Sequence, residues 1–145
     1  IARMCDLYPT SPIECYRNDW LCESIYKPCF DKLNVHNLSL GQQSRDLFKY
    51  CTEIGLPKFM EAVTPYVKEG WAIGDGSKMY MADFYIGSIW TDVVYGHDLA
   101  TGRKSWLGKQ APELMKEWHA KYPEFVAYGK RFEAAIAGYL DTRDV

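Results

Sequence analysis

One stretch of the sequence decides the fold, residues 74–95, GDGSKMYMADFYIGSIWTDVVY. A glycine-rich turn leads into a segment from Met81 to Tyr95 that has apolar residues on nearly every face. Those residues are Met81, Phe84, Tyr85, Ile86, Ile89, Trp90, Val93 and Val94. A helix without a polar face is normally buried on all sides. The stretch therefore predicts a central helix over 81–95, with Gly87 and Ser88 as points of close approach.

The first turn of that predicted helix carries one acidic residue, Asp83. With Tyr80 as the N-cap, Asp83 is the N3 residue and can accept a hydrogen bond from the Tyr80 backbone N–H. Met79 and Phe84 then stand at the two positions of a hydrophobic staple. A carboxylate in the first turn also suits the helix dipole. We predict that Asp83 is a structural capping residue and not a catalytic one.

Upstream, a strong start signal predicts a first helix. Ser11 suits the N-cap, Pro12 suits the first helical position, and Glu14 completes a capping box. Apolar residues then repeat at helical spacing, namely Ile13, Tyr16, Trp20, Leu21, Ile25 and Phe30. We expect this helix to reach about Leu33, with a kink or interruption at Pro28.

Further helices are predicted over the rest of the chain. One runs from Ser44 to Ile54, and Gly55-Leu56-Pro57 ends it and begins the next, which Pro65 kinks or shortens. A short helix covers 111–121, and Pro123 opens the last one. The apolar stripe of the last helix comprises Phe125, Tyr128, Phe132, Ile136, Tyr139 and Leu140. With no strong strand alternation, the prediction is an all-α bundle around the buried central helix.

Composition is consistent with one globular domain and excludes several classes of function. The chain has 145 residues, 48% of them hydrophobic and 15% aromatic, with 17 Lys and Arg against 19 Asp and Glu. Such aromatic content excludes a disordered chain. A net charge of −2 gives no bulk attraction to nucleic acid or to an anionic membrane. No apolar run approaches the roughly 18 residues of a membrane span, so we predict neither nucleic-acid binding nor membrane insertion.

The five cysteines, at positions 5, 15, 22, 29 and 51, form no CxxC pair. An odd number without a secretory signal favours free thiols in a reducing compartment, the cytoplasm or another. Cys15, Cys22 and Cys29 would share one helical stripe, about 10 Å apart along the axis. That separation exceeds the roughly 7 Å limit for a disulfide. Small buried hydrophobes are the favoured interpretation, and one reactive thiol is the alternative.

The residues by themselves show no catalytic constellation. His36, His97 and His119 stand in separate segments, and His119 is expected on the surface of its short helix. The sequence has neither a phosphate-binding loop nor a zinc-binding HExxH motif. We predict no metal site.

In the order of its motifs, the sequence resembles the C-terminal helical domain of cytosolic glutathione S-transferases. The matching segments are Ile1-Ala2-Arg3, Leu7-Tyr8-Pro9 through Asp19, Leu56-Pro57-Lys58-Phe59-Met60, Gly74-Asp75 with Met81-Ala82-Asp83-Phe84, and Tyr122 through Tyr128. The resemblance implies that residues 1–7 are the tail of a missing N-terminal thioredoxin-like domain with its linker. It implies that residues 8–145 are the helical domain. The family has Ser or Thr where this chain has Tyr80, so Ser77 is an alternative N-cap.

The resemblance also implies a function. In the family, the thioredoxin-like domain holds glutathione, the co-substrate, and activates its thiol, while the helical domain lines the pocket for the electrophile. The corresponding positions here are Tyr26, Phe30 and Leu33, with ordinary core residues as the alternative and favoured interpretation. This chain alone is then not expected to be active.

Two functions therefore stay open. The first is a glutathione transferase whose glutathione-binding domain lies outside this chain. The second is a non-catalytic interaction module or a structural subunit of a larger complex. Either allows a homodimer or a larger assembly.

Overall fold

The structure is a computed structural model, and it describes residues 3–26, 48–94 and 111–140. Within these residues all regular structure is helical. The α-helices are α1 (Pro12–Trp20), α2 (Leu56–Val67), α3 (Met81–Ser88), α4 (Pro112–Lys121), α5 (Pro123–Ala135) and α6 (Ala137–Leu140). Three π-helical segments adjoin them, Leu21–Tyr26 after α1, Cys51–Gly55 before α2 and Ile89–Val94 after α3.

Helix α1 begins at Pro12 as predicted, with Ser11 extended at the N-cap. The predicted capping box is not formed, because the Ser11 side chain makes no capping hydrogen bond. The predicted buried face is also partly wrong. Ile13 and Tyr16 are 58% and 65% exposed, whereas Asn18 on the neighbouring face is buried. The cause is a tertiary contact, in which the Asn18 side chain accepts a hydrogen bond from a backbone amide of α3.

The expected end of α1 near Leu33 and the kink at Pro28 lie outside the described residues. The same holds for the predicted helix start at Ser44.

The break predicted at Gly55 does not occur. Residues 48–50, the π-helical segment Cys51–Gly55 and α2 follow one another without a non-helical residue, and Gly55 has right-handed helical dihedrals. Pro57 lies in the first turn of α2, where a missing N–H is tolerated. Pro65 lies inside α2, which ends two residues later at Val67.

Helix α3 is the central element. No residue from 81 to 91 is exposed, which agrees with its predicted burial. Helix α5 packs closely against α3 and the π-helical segment Ile89–Val94 at two glycines. A Cβ on Gly87 would lie 2.4 Å from the Phe132 ring, and one on Gly129 would lie 2.0 Å from the Trp90 ring. The two backbones therefore approach more closely than larger residues would allow.

The last predicted helix is interrupted. Helix α5 ends at Ala135, Ile136 departs from helical dihedrals, and the short α6 follows. Tyr139, predicted on the apolar stripe, is 62% exposed. Within α5 the stripe is buried, and Phe125 contacts the rings of Phe59 and Trp90 at 6.1 and 5.9 Å between centroids.

The prediction of an all-α bundle around a buried central helix is confirmed. The core is made of buried side chains from α2, α3, α4, α5 and the π-helical segment Ile89–Val94, together with Leu21, Cys22, Ala72, Ile73 and Tyr122. In the part of the chain that the structure describes, no helix combines the length and the apolar character needed to span a membrane.

Candidate functional site

The predicted electrophile-pocket residues fall at the edge of the described structure or beyond it. Tyr26 is the last residue of the π-helical segment after α1, and its side chain is outside the described part. Phe30 and Leu33 are outside it as well. Their assignment to a pocket stays a prediction.

The best-defined polar site is the carboxylate of Asp83 in the first turn of α3, which is 0% exposed. Its Oδ2 accepts from the Tyr80 backbone N–H at 2.9 Å. Its Oδ1 accepts from the Ala72 N–H at 2.8 Å and from the Tyr128 hydroxyl at 3.0 Å. The contact with Tyr80 is the one that the capping pattern predicts. One carboxylate therefore connects the loop before α3, the start of α3 and the middle of α5.

Two of the first N–H groups of α3 donate to distant segments, and a third donates within the turn. The first N–H groups of a helix have no partner within the helix. The Met81 N–H donates to the Leu7 carbonyl oxygen at 2.8 Å, and the Ala82 N–H donates to Asn18 Oδ1 at 3.0 Å. The Asp83 N–H donates to the Tyr80 carbonyl oxygen at 3.0 Å. The start of α3 is thus the point where the N-terminal segment, α1 and α3 meet.

Of the two predicted N-caps, Tyr80 occupies the position, with an extended backbone. Ser77 instead belongs to the preceding turn. Its N–H donates to Asp75 Oδ1 at 2.9 Å, and hydrogen bonds from Ser77 lower the pKa of Asp75. Gly74 and Gly76, with φ of +71° and +76°, adopt the left-handed backbone that this turn needs.

Burial dominates the electrostatics of the Asp83 site. It raises the pKa of Asp83 despite the opposing effect of the three donors and of the nearby Arg131 charge. Burial and the adjacent Asp83 carboxylate raise the pKa of Tyr128 well above its ordinary value. Neither group is poised to exchange a proton with a substrate, because both are enclosed and engaged with each other.

Arg131 of α5 completes this environment. Its guanidinium donates to the carbonyl oxygens of Val67 at 3.0 Å and Gly70 at 2.6 Å. It also lies over the rings of Trp71 and Tyr128, at 5.4 and 5.5 Å from their centroids. These contacts satisfy carbonyls at the end of α2 and fix the following loop against α5.

The described cysteines show no sign of activated chemistry. Burial raises the pKa of the Cys22 thiol to about 12, so the thiolate that would act as a nucleophile is scarce at neutral pH. The Cys15 thiol donates to the Pro9 carbonyl oxygen at 3.1 Å, and Cys5 is an exposed free thiol. For Cys22 the interpretation as a small buried hydrophobe therefore fits, while the alternative of a reactive thiol does not.

His119, predicted at the surface, is half-buried. Its ring stacks on Trp90 at 5.9 Å between centroids. Burial, followed by the charge of Lys130, lowers its pKa. Over residues 3–26, 48–94 and 111–140, no group of His, Cys, Asp and Glu side chains could hold a metal ion.

Two surface clefts adjoin Tyr66. One, of about 430 Å³, is formed by the end of α2 and the loop that follows it, including Lys68, Glu69 and Asp75. The other, of about 380 Å³, lies between α1 and α2. It is lined by Ile13, Tyr16, Arg17, Trp20 and Tyr66.

Among the residues whose roles sequence reasoning missed are Asn18 and Tyr128, which contact the start of α3, and Arg131, which binds the carbonyl oxygens of Val67 and Gly70. Asn18 lies one helical turn before the apolar residues Leu21 and Cys22. That position could have indicated a buried side chain that binds a backbone group. The sequence predicts Tyr128 on the apolar stripe of the last helix. It does not indicate that the Tyr128 hydroxyl binds Asp83, 45 residues away. No local signal indicates the role of Arg131.

Comparison with known proteins identifies the fold. No family model matches the sequence, and no curated protein matches it. Among solved structures, the chain is similar to "monomeric Na-GST-3, a glutathione s-transferase from the major human hookworm parasite Necator americanus". The TM-score is 0.67 at 19% sequence identity, and the match covers 99% of this chain and 64% of that chain. The chain therefore has a glutathione S-transferase-like fold and spans less than two thirds of the length of that structure.

Proposed function

We propose that this chain is the helical domain of a glutathione-transferase-like protein and supplies the electrophile side of its active site. The fold likeness over 99% of the chain carries the proposal. The same match leaves about a third of the hookworm transferase uncovered. In our proposal, the uncovered third corresponds to a glutathione-binding, thioredoxin-like domain. Residues 1–7 then include the junction, and residues 8–145 form the helical domain.

The proposed reaction is nucleophilic attack by the glutathione thiolate on an electrophilic carbon of an apolar substrate. A sulfur–carbon bond forms, and the leaving group departs with its electron pair. This chain contributes apolar walls and not the activation of the thiol. This assignment agrees with the described residues. Asp83 and Tyr128, whose pKa values are raised, are hydrogen-bonded to each other, and Asp83 also accepts from backbone N–H groups.

The first experiment uses the intact protein, with whatever precedes Ile1. We expect it to be retained on immobilised glutathione and to conjugate glutathione to 1-chloro-2,4-dinitrobenzene, followed by absorbance. Failure of both retention and conjugation would overturn the proposal. A protein that co-purifies with the chain in that case would support the non-catalytic alternative.

A second experiment tests the pocket positions. Phe30→Ala and Leu33→Ala should each raise the KM for the electrophile about 5-fold or more, because about 1–3 kcal/mol of apolar contact is lost. The affinity for glutathione should be unchanged. Tyr139→Ala is the matched control, since it removes an aromatic ring that is 62% exposed on another helix. Equal effects of all three variants on KM would show that the assigned positions do not line the pocket.

A further inference from the structure

Two positions in the sequence have a hydroxyl residue directly before a proline, Ser11-Pro12 and Thr64-Pro65. Serine and threonine hydroxyls are acceptors of enzymatic phosphorylation, and proline-directed kinases select those that a proline follows. Such a kinase binds its substrate as an accessible, extended segment. The dipeptide alone does not distinguish the two positions, so the surroundings of each hydroxyl in the fold decide between them.

Ser11 lies in an accessible segment. It precedes α1 with an extended backbone, at φ −71° and ψ 131°, and its side chain makes no capping hydrogen bond. Ser11 itself is half-buried, while its neighbours Thr10, Pro12 and Ile13 are exposed. Opening the first turn of a helix at the surface costs little free energy. The segment around Ser11 can therefore lie extended in the groove of another protein while the rest of the fold is kept.

Thr64 is enclosed by the fold. It lies inside α2, and its hydroxyl donates to the Met60 carbonyl oxygen at 2.6 Å. The adjacent Val63 and the nearby Val67 have no exposed surface. This segment cannot become extended unless both valines leave the core, so phosphorylation of Thr64 requires that α2 unfolds.

We propose that Ser11 is a phosphorylation site for a proline-directed serine/threonine kinase that uses ATP. The Ser11 Oγ attacks the γ-phosphorus of ATP, and an oxygen–phosphorus bond forms. The bond from that phosphorus to the bridging oxygen breaks, and ADP leaves with the electron pair. The hydroxyl proton passes to the catalytic aspartate of the kinase.

The start of α1 can accommodate the product. Pro12 has no N–H, so the first backbone donors after Ser11 are the N–H groups of Ile13 and Glu14, and phosphate at a helix N-terminus is stabilised by such groups. The Glu14 carboxylate lies beside Gly74. The proposal goes beyond the conjugation function, because it uses neither glutathione nor the positions 26, 30 and 33, and it can hold or fail independently of that function.

The test treats the 145-residue chain with ATP and, separately, with a cyclin-dependent kinase and a mitogen-activated protein kinase. Synthetic peptides of residues 7–17 and 60–70 report how well each kinase accepts the two sequences without the fold. With at least one of the kinases, Ser11 in the folded chain should react within about 10-fold of the rate of its peptide, since only a helix end has to open. Thr64 should react at least about 100-fold more slowly than its peptide, because the unfolded fraction is small. Mass spectrometry of proteolytic fragments assigns the phosphate.

Ser11→Ala should abolish the incorporation of phosphate into the folded chain. Thr64→Val is the matched control, because it removes the other hydroxyl before a proline and should leave the incorporation unchanged. An unaltered far-ultraviolet circular dichroism spectrum checks the folding of both variants. The proposal is overturned if neither kinase modifies Ser11 in the folded chain, or if Thr64 is modified as fast as Ser11. Equal incorporation into Ser11→Ala and the unaltered chain would also overturn it.

Discussion

At the scale of single residues, Asp83 is the hydrogen-bond acceptor for three separate donors. Its two oxygens accept from Tyr80, Ala72 and Tyr128, and it has no exposed surface. Buried donors that lose their acceptor cost about 1–3 kcal/mol each. The carboxylate is therefore a structural residue whose removal leaves several groups unsatisfied at once.

Replacement of Asp83 by Ala should accordingly lower the free energy of unfolding by about 3–5 kcal/mol. Urea denaturation followed by circular dichroism would measure it. Asp75→Ala is the matched control, because that carboxylate is exposed in the neighbouring turn and should cost less than about 1 kcal/mol. A loss below about 1 kcal/mol for Asp83→Ala would contradict the role assigned to this residue.

The raised pKa of Asp83 predicts a specific pH dependence. The folded state keeps the Asp83 proton at pH values where the unfolded chain, with its ordinary pKa of 3.8, has released it. The stability contributed by protonation is fully present below that value and is lost as pH rises through the folded pKa. The stability difference between the unaltered chain and Asp83→Asn should therefore fall as pH rises from about 3.5 to 7.

Urea unfolding of both proteins across this pH range would measure that difference in stability. Ionisable groups that are present in both proteins contribute equally to each stability, so their contributions cancel in the difference. A difference that grows with pH would mean that the three hydrogen-bond donors outweigh burial and depress the pKa.

At the scale of elements, the packing of α5 on α3 and on the π-helical segment Ile89–Val94 depends on two glycines. Gly129→Ala would place a Cβ 2.0 Å from the buried Trp90 ring, which has no room to move. We expect a loss of about 2–3 kcal/mol in unfolding free energy, as for other overpacked cores. Gly138→Ala in α6 is the control, because nothing lies within 4 Å of the added atom.

Gly138→Ala should be neutral or stabilise by up to about 1 kcal/mol, since alanine favours the helix. Thermal or urea unfolding would rank the two variants. Equal stability of both variants would mean that α5 and the π-helical segment Ile89–Val94 are not in close contact at Gly129.

Helix starts were predicted better than helix interruptions. Pro12, Pro57, Pro112 and Pro123 lie in first turns as expected, because a proline and its neighbours impose the start locally. The interruption at Ile136 and the continuity through Gly55 were not predicted. At Gly55 the Tyr50 ring of the same helical run lies 2.8 Å from the position that a Cβ would take, so glycine allows a close local contact there and does not end the helix.

At the scale of the whole molecule, residues 3–9 are tied to the helical bundle. Leu7 accepts from the Met81 N–H at 2.8 Å, Asp6 pairs with Lys78, and Pro9 accepts from the Cys15 thiol. The segment thus completes the start of the central helix. In the proposed two-domain protein, it would hold the preceding domain against the bundle.

Deletion of residues 1–9 should therefore destabilise the helical domain itself, by about 2 kcal/mol or more, because the Met81 N–H loses its partner. Urea unfolding of the shortened chain would show it. Lys78→Gln serves as the control, since an exposed ion pair contributes less than about 1 kcal/mol. An unchanged midpoint for the shortened chain would show that the segment is only a linker.

The sequence by itself determined that the protein is all-helical, where several helices start and that α3 is central. These properties follow from apolar periodicity and from caps and prolines, which act over about four residues. Only the tertiary structure decided which face of α1 is buried, that Asn18 and Tyr128 converge on the start of α3, and that Ile13, Tyr16 and Arg17 remain on a cleft. The physical reason is that these contacts join residues 45 to 64 positions apart, and no local pattern encodes which distant groups meet.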